Sequence, residues 1–298
     1  MVDPDNQIVE SANFYPNWFS GWIQGGDSYF LGGGGGFGGF DTISYPESRT
    51  TTGNMLSIQY KPGKVDAELV PSFVPLAITG VEVKKDSVVF SERGIGGGPD
   101  LIRMWACAAK RYVETPLKQG GKAFDIEYPI HRKVVIGLDD TDSSIKGATF
   151  KTALEIASII DLGMKDVKFL RLTLSFNWPK NPDKTTNNAS SALVFAAKPG
   201  KEEELIREFT KLAKKASISK DTGMAVMTRI QAPEQLKTYA MKVKSEKVYV
   251  AEAHKVAEQT GIRTIQITGE RGLIGALSAI GLVDNPGRAI TPIGNPTI

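Results

Sequence analysis

A strand-forming run that ends in a dense cluster of carboxylates and hydroxyls constrains this chain more than any other feature. The run Val-Val-Ile-Gly-Leu occupies residues 134–138. Five polar residues follow it at once: Asp139, Asp140, Thr141, Asp142 and Ser143. Carboxylates this close together repel one another unless a cation lies among them, and hard oxygen ligands suit Mg²⁺ or Mn²⁺. A solvated acidic turn is the alternative, since Asp, Thr and Ser are common loop residues. We favour the cation site because a buried-looking strand is rarely followed by Asp-Asp-x-Asp.

Composition and charge narrow the class of protein. The 298 residues are 41% hydrophobic, which is enough for a proper core and for two domains of ordinary size. The net charge of +3 gives no general electrostatic reason to expect nucleic acid. The single cysteine, Cys107, excludes an internal disulfide and a cysteine-based zinc module. We see neither a secretory signal nor the ~18 apolar residues of a membrane span, and we therefore expect a cytoplasmic protein without membrane contact.

The second half of the chain alternates strand and helix patterns. Helix patterns begin near Thr149 and again at the glutamates before Leu205, and strand patterns lie on either side of each. The strand patterns cover residues 133–138, 169–176, 192–196 and 224–230. The order β-α-β-β-α-β is typical of a ferredoxin-like unit. We therefore predict an α+β fold, with a ferredoxin-like βαββαβ unit in the C-terminal half packed with a mixed α/β N-terminal half.

The first half is less regular. Strand patterns occur at residues 55–60, 67–70, 78–83 and 87–91. A helical pattern then runs from Leu101 to Tyr112, and Lys118–Lys122 has the composition of a linker. The glycine run within residues 32–39 predicts a flexible loop. A phosphate-binding role for that run is less favoured, because no Lys-Ser/Thr follows it as in a P-loop.

Two loops carry the candidate chemistry. The acidic loop lies between a strand end and a helix that begins near Thr149, so a metal and a helix N-terminus would hold a polyphosphate from two sides. Thr141, Ser143 and Thr149 offer hydroxyls as metal ligands, hydrogen-bond donors or phosphoryl acceptors. The loop at residues 177–188 adds a lysine with amide and hydroxyl donors, which suits a transferring phosphoryl group, although a polar hairpin loop is an equally good interpretation of it alone.

Other site chemistries have less support. His131 and His254 are the only histidines, and neither has a partner at helical spacing, so a histidine metal site or triad has little to draw on. Asp140-x-Asp142 resembles the opening motif of haloacid-dehalogenase-type phosphatases. Those enzymes also need a late acidic pair, for which the chain offers only Asp284.

The acidic loop, followed by Gly147-Ala148-Thr149, resembles the kinase-like domain of archaeal tRNA-isoleucine agmatinylcytidine synthetase. The similarity continues through Leu170-Arg171-Leu172, through the Pro182–Asn188 loop, and through the Gly-Leu-Ile-Gly-Ala-Leu segment that begins at Gly272. Two departures stand out: Ala148 replaces the family's cysteine, and the Pro182–Asn188 loop is altered. The chain also shows neither the oligonucleotide-binding barrel nor the zinc ribbon of that family.

This resemblance implies an ATP site with Mg²⁺ at the aspartates. The metal ligands it implies are Asp139, Asp140 and Asp142. The catalytic residues it implies are Asp139, Asp140, Thr149 and Lys184. The nucleotide-binding residues it implies are Thr141, Ser143, Gly147, Thr185 and Asn188. In that family the domain phosphorylates a base carbonyl and is itself phosphorylated at a threonine, which aligns with Thr149. The competing interpretation is that Thr149 caps the helix.

The N-terminal half resembles methanogenesis marker protein 11, a family of methanogenic archaea. The residues that carry this likeness are Gly39-Phe40-Asp41, Val70-Pro71-Ser72 and Gly94-Ile95-Gly96-Gly97-Gly98. The sequence patterns and the two resemblances together divide the chain into four segments. These are an aromatic and glycine-rich segment at 1–54, an N-terminal α+β domain at 55–130, a kinase-like ATP/Mg-binding domain at 131–232, and a C-terminal α/β segment at 233–298.

Three functions are consistent with these features. The first is an Mg²⁺-dependent ATP-binding phosphotransferase or ATPase that serves methanogenesis, with its acceptor open. The second is a non-catalytic nucleotide-binding component of an assembly complex, such as one that matures methyl-coenzyme M reductase, with proteins as partners. A tRNA-modifying role comes third, because the near-neutral charge and the missing modules argue against tRNA as a partner.

Overall fold

A computed structural model describes residues 1–14, 50–52, 55–66, 69, 75–118, 120–185 and 188–293. The chain divides into two compact units, Met1–His131 and Arg132–Ile298. The predicted glycine-rich loop at 32–39 lies outside the described residues, as does nearly all of the predicted strand at 67–70.

The described residues of the first unit form two antiparallel sheets and one helix. Its strands are β1 (Val2–Asp3), β2 (Ile8–Phe14), β3 (Thr50–Thr52), β4 (Met55–Tyr60), β5 (Gly63–Lys64), β6 (Leu76–Val83), β7 (Ser87–Gly94), β8 (Arg111–Pro116) and β9 (Lys122–Pro129). The sheet orders are β1-β2-β4-β3 and β5-β6-β7-β9-β8. Helix α1 (Gly98–Ala106) has Pro99 in its first turn, where proline is well tolerated, and packs Ile102 against Phe124 and Ile126.

The helix predicted from Leu101 to Tyr112 is shorter than expected. It ends at Ala106, and Tyr112 instead lies in β8, opposite Ile126 of β9. The predicted linker at Lys118–Lys122 falls within the connection between these two strands and reaches the first residue of β9. Tyr, Val and Thr at positions 112, 113 and 115 favour a strand, and pairing with β9 satisfies their backbone groups, so strand propensity overrides the helical spacing here.

The second unit is built on one five-stranded sheet. Its strands are β10 (Arg132–Asp139), β11 (Val167–Phe176), β12 (Ala189–Ala197), β13 (Gly223–Met227) and β14 (Arg263–Gln266). Their order is β11-β12-β10-β13-β14, and every neighbouring pair is antiparallel. The four strands predicted in this half are therefore confirmed, with the fourth ending at Met227 rather than at residue 230.

Helices cover both faces of this sheet. They are α2 (Thr149–Gly163), α3 (Glu202–Ala216), α4 (Glu234–Ser245), α5 (Val250–Thr260), α6 (Leu273–Gly281) and α7 (Pro286–Ile290). Alternate residues of β10 point to opposite faces, so Val134 and Ile136 join the core that α2 and α3 cover, while Val135 joins the core that α6 covers. The chain is thus a mixed α+β protein, as predicted, and it contains several antiparallel sheets.

A buried ion group anchors α6 and α7 to the sheet. Lys133 and Arg171, whose side chains are almost fully buried, both donate to Asp284 at 2.9 and 2.8 Å. Burial opposes ionisation of Asp284, but the two cations outweigh it and lower the pKa of that carboxyl. Asp284 therefore has a structural role here. Among the described residues, no helix is long and apolar enough to cross a membrane.

Candidate functional site

Asp139 ends the central strand β10 and faces the first turn of α6. A Cβ at Gly275 would lie 2.7 Å from the carboxylate carbon of Asp139, closer than real Cβ contacts come. A Cβ at Gly272 would lie 2.6 Å from the backbone oxygen of Asp139. Glycines at these two positions therefore let α6 approach the strand end. The carboxylate lies beside the positively charged end of the helix dipole.

Burial makes this carboxyl difficult to ionise. It raises the pKa of Asp139 well above its usual range, and the neighbouring charge of Asp140 raises it further. A carboxylate in this position is stabilised by positive charge, whether from a cation or from a helix N-terminus. The site therefore favours a cationic ligand beside Asp139.

Asp140 has a strained backbone and a fixed side chain. Its φ of 56° lies in the left-handed region, which few non-glycine residues adopt. Its backbone oxygen accepts a 2.7 Å hydrogen bond from Thr222, and its carboxylate accepts one of 3.1 Å from Nε of Arg271. Arg271 also pairs with Asp221 at 3.3 Å. Burial raises the pKa of Asp140, although Arg271 opposes the shift.

Asp142 is held by hydroxyl groups from two separate loops. Its Oδ1 accepts hydrogen bonds from Thr149 at 3.3 Å and from Thr185 at 3.1 Å. The Thr149 hydroxyl in turn accepts from the backbone N–H of Thr141 at 3.2 Å. Gly147, with a φ of 91°, packs against the Asp142 side chain. The acidic loop, the start of α2 and the loop before β12 thus meet at one carboxylate.

These residues line one cleft, which holds about 370 Å³ of empty space, part of it open to solvent. The lining residues are Asp139, Asp140, Asp142, Ala148, Thr149, Phe150, Thr185, Asn188 and Ala189. The structure therefore brings together six of the residues that sequence reasoning assigned to the site: three aspartates, two threonines and Asn188.

The other predicted site residues lie outside the lining. Thr141 is buried behind Thr149, and Ser143 and Gly147 belong to the adjoining turn, where Ser143 pairs with Lys146. Lys184 is exposed, and its ammonium donates to the backbone oxygen of Pro179 at 3.0 Å. In this arrangement Lys184 has no contact with the carboxylates.

The interpretation of Thr149 as a helix cap is wrong. The N-cap of α2 is Ala148, which has extended backbone angles, and Thr149 is the first helical residue. Its hydroxyl bonds to Thr141 and Asp142 rather than to an N–H group of the first turn. Thr149 is almost fully buried, yet it borders the cleft.

The donor set fits a hard cation. Among the residues that the structure describes, no three His, Cys, Asp or Glu side chains gather in a metal-holding arrangement. Mg²⁺ does not need three, since it is usually bound through one or two carboxylates together with water and substrate phosphates. Beside Asp139, the buried side-chain oxygen of Asn177 has no hydrogen-bond partner among the described residues, and its amide nitrogen also lies near Gly275. Hard oxygens with unused bonding capacity are thus present.

Sequence reasoning missed Arg271 and Asp221, and it named Asn177 only as the first residue of the candidate loop at 177–188. Arg271 comes from the turn before α6, and 131 positions separate it from Asp140. The Glu-Arg-Gly sequence at 270–272, placed between a strand and a glycine-containing helix start, was a signal that could have identified it. Asn177 directly follows β11, as Asp139 ends β10, and that parallel placement was the signal in its case.

Comparison with known proteins gives a family match that lies within the second unit. Residues 135–269 match the family model described as the TiaS TCKD domain. The chain is 34% identical over 241 residues to the uncharacterized protein MJ0921 of Methanocaldococcus jannaschii, which covers 78% of this chain and 79% of that protein. It is 29% identical over 157 residues to TiaS of Pyrococcus horikoshii, a tRNA 2-agmatinylcytidine synthetase. This match covers 49% of this chain and 35% of the synthetase.

A second TiaS, from Thermococcus sibiricus, is 32% identical over 160 residues and covers 50% of this chain and 35% of that enzyme. The chain thus spans about a third of the length of these synthetases. The crystal structure of a complex of TiaS with tRNA and ATP is similar with a TM-score of 0.46 and 26% identity, covering 51% of this chain and 36% of that one.

These relatives correct one expectation. We did not expect tRNA as a partner, but homologues that cover half of the chain are tRNA-modifying enzymes by name, so that expectation is wrong. The expectation rested on the missing tRNA-binding modules and on the net charge of +3, which is an average over the whole chain. An average of this kind says nothing about the charge of one surface.

Proposed function

The chain belongs to the family of the uncharacterized Methanocaldococcus jannaschii protein MJ0921, and we propose that it is an Mg²⁺-dependent enzyme that binds ATP and transfers its γ-phosphoryl group. The observation that carries this proposal is the convergence of three carboxylates and two threonine hydroxyls in one cleft beside a helix start. Homology to TiaS, which was crystallised with ATP, supports a nucleotide as the ligand.

The residues of the chain take distinct roles in this proposal. Asp139 and Asp140 hold the cation, and the free N–H groups at the start of α2 bind phosphate oxygens. When bound, Mg²⁺ supplies neutralising charge to the β- and γ-phosphate oxygens. Arg271 is a positioning residue, since its bond to Asp140 fixes the orientation of a side chain whose backbone is already strained.

In the transfer itself, a bond forms between an acceptor oxygen and the γ-phosphorus. The bond from that phosphorus to the β–γ bridging oxygen breaks, and ADP leaves with its electron pair. Asp142 is held by Thr149 and Thr185, so it is placed to accept a proton or a hydrogen bond at the edge of the cleft. With water as acceptor, the same chemistry is ATP hydrolysis.

We propose an RNA of the tRNA class as the first acceptor to examine, because the TiaS relatives are named for a tRNA substrate. Those enzymes are about three times as long as the matched region, so the acceptor does not follow from the shared domain alone. The resemblance to methanogenesis marker protein 11 supports the other candidate, in which the nucleotide site stabilises a complex that matures an enzyme of methanogenesis.

Calorimetric titration with ATP and MgCl₂ tests the proposal. We expect the wild-type protein to bind, and we expect Asp139→Asn, which keeps the shape of the side chain, to bind at least about 10-fold more weakly. Glu155→Gln is the matched control, because Glu155 lies on α2 as an exposed member of a Lys151 ion pair. Equal affinity of wild type and Asp139→Asn, or absence of binding in both, contradicts the proposal.

The acceptor is then sought with γ-labelled ATP. The protein is incubated with labelled ATP, Mg²⁺ and total tRNA from a methanogenic archaeon, and the label is followed into RNA, protein and free phosphate. Label in RNA that disappears in Asp139→Asn supports a tRNA acceptor. Label only in free phosphate identifies an ATPase. The complex-forming alternative predicts instead that the protein co-purifies with other proteins in an ATP-dependent manner.

We also infer that residues 131–232 form a ferredoxin-like unit within the four segments defined by the sequence. Two observations support this inference. The elements follow the order β-α-β-β-α-β along the chain, and the four strands lie in the spatial order β11-β12-β10-β13 in an antiparallel sheet.

A further inference from the structure

We propose that Phe150 is the stacking platform for the nucleobase of the bound nucleotide, so that the cleft has a base subsite beside its phosphate subsite. This inference rests on the proposed function, because it names the part of the nucleotide that the remaining surface of the cleft recognises.

The cleft has two chemically different sides. The three aspartates, Thr149, Thr185 and Asn188 make up a polar side. The apolar lining consists of Phe150 with two alanines, Ala148 and Ala189. A ligand that fills such a cleft has a charged end and an apolar end. A nucleoside triphosphate has this composition, whereas inorganic polyphosphate or a free metal ion does not.

Phe150 is placed to contact a ligand rather than the core. It directly follows Thr149 in the first turn of α2, yet it is 44% exposed where Thr149 is 4% exposed. Single exposed apolar residues are ordinary on protein surfaces. This one borders a cleft of carboxylates, and among the described residues its ring stacks on no other aromatic side chain. Aromatic side chains in that situation bind nucleobases by stacking, because every base has a π face.

The other apolar residues of the lining are small. Ala148 precedes the helix in an extended conformation, and Ala189 begins β12, so each adds only a methyl group to the lining. Larger side chains at either position would occupy the space beside the ring. Leu154, one helical turn further along, is 36% exposed on the same side of α2 but does not line the cleft. Leu154 is therefore a matched control.

The experiment compares two ligands that differ only in carrying a nucleoside. The affinities of ATP and of inorganic tripolyphosphate, each with Mg²⁺, are measured by calorimetry for wild type, Phe150→Leu, Phe150→Tyr and Leu154→Ala. We expect Phe150→Leu to weaken ATP binding by about 5- to 100-fold and to leave tripolyphosphate within about twofold. Phe150→Tyr retains the ring and should bind ATP as wild type does. Leu154→Ala should change neither ligand.

The outcomes separate this inference from the proposed function. If wild type binds ATP and tripolyphosphate equally, or if Phe150→Leu binds ATP as wild type does, the base subsite is refuted while a phosphate site stands. If Phe150→Leu weakens both ligands equally, the ring supports the fold of the cleft and the subsite is again refuted. If wild type binds neither ligand, the proposed function fails and the subsite fails with it. Leucine keeps most of the apolar area of Phe150, so each variant is expected to fold.

Discussion

Gly275→Ala should disable the site while leaving the fold nearly intact. Gly275 lies in the first turn of α6, and a methyl group there would lie 2.7 Å from the carboxylate carbon of Asp139 and 3.1 Å from the amide nitrogen of Asn177. Real Cβ atoms essentially never come within 3.0 Å of such neighbours. Since the methyl group is fixed to a helix backbone, the carboxylate must move by about 1 Å.

The expected magnitudes differ between binding and stability. A displacement of about 1 Å of a group in a catalytic site costs on the order of 100-fold in activity, and we expect a loss of about 10- to 100-fold in affinity for Mg²⁺ with ATP. The effect on folding is smaller. Crowding in a packed region costs about 1–3 kcal/mol, while alanine is favoured over glycine in a helix by up to about 1 kcal/mol. The net loss in free energy of unfolding should therefore stay below about 2 kcal/mol.

Urea denaturation and calorimetric titration measure the two quantities on the same sample. Gly163→Ala is the matched control, because Gly163 ends α2 and a Cβ there would have no heavy atom within 4 Å. We expect that variant to keep wild-type binding and stability within about 0.5 kcal/mol. The reasoning is refuted if Gly275→Ala is folded and binds Mg²⁺ with ATP as wild type does. Binding would then not depend on the position of the Asp139 carboxylate.

Four further predictions follow from individual contacts. Arg271→Gln removes the cation beside Asp140 and so raises the pKa of that carboxyl further. Mg²⁺-dependent ATP binding should therefore weaken at pH 7 and recover partly at higher pH, which calorimetric titration over a pH series would show. Asp284→Asn removes the carboxylate that Lys133 and Arg171 share and should cost about 3–5 kcal/mol in urea denaturation, and a loss below about 1 kcal/mol would contradict a structural role. Burial raises the pKa of Glu92 from 4.5 to about 8. Between these pH values the Glu92 carboxyl keeps its proton in the folded protein and loses it in the unfolded chain. Stability of wild type relative to Glu92→Gln should then fall as pH rises, by up to about 1.4 kcal/mol per pH unit, and parallel profiles of the two proteins would exclude this. Thr149 should gain one phosphate on incubation with ATP and Mg²⁺, detectable by mass spectrometry in wild type and Thr149→Ser, and equal labelling of Thr149→Ala would rule out this acceptor.

The local parts of the fold were accessible from the sequence. Residues 133–138 and 169–176 read as strands because β-branched and alternating apolar residues mark a sheet with both faces covered. Helix α2 was found from its apolar spacing. The sequence failed where tertiary pairing decided the outcome. Tyr112 continues a helical spacing in sequence, yet pairing with β9 makes it part of a strand. Element order could therefore be predicted better than element boundaries.

The candidate site divides in the same way. Asp139, Asp140 and Asp142 were accessible because they are adjacent in sequence. The groups that give each carboxylate its environment come from distant segments, since Gly275 packs on Asp139, Arg271 pairs with Asp140, and Thr185 bonds to Asp142. No spacing rule links residues that are more than 40 positions apart, so these contacts became visible only when β10, β12 and α6 were assembled.

Those contacts also bear on how tightly a cation is held. Each aspartate already has a partner of its own, namely the backbone N–H of Asp140 for Asp139, the guanidinium of Arg271 for Asp140, and two hydroxyls for Asp142. A divalent ion must therefore replace or share existing interactions, and its affinity is the difference between the new bonds and those it weakens. Because Arg271 competes for Asp140, the free ion should bind weakly by itself. Polyphosphate adds oxygen ligands to the ion and negative charge for Arg271, so the ion and the nucleotide should bind more tightly together than either does alone.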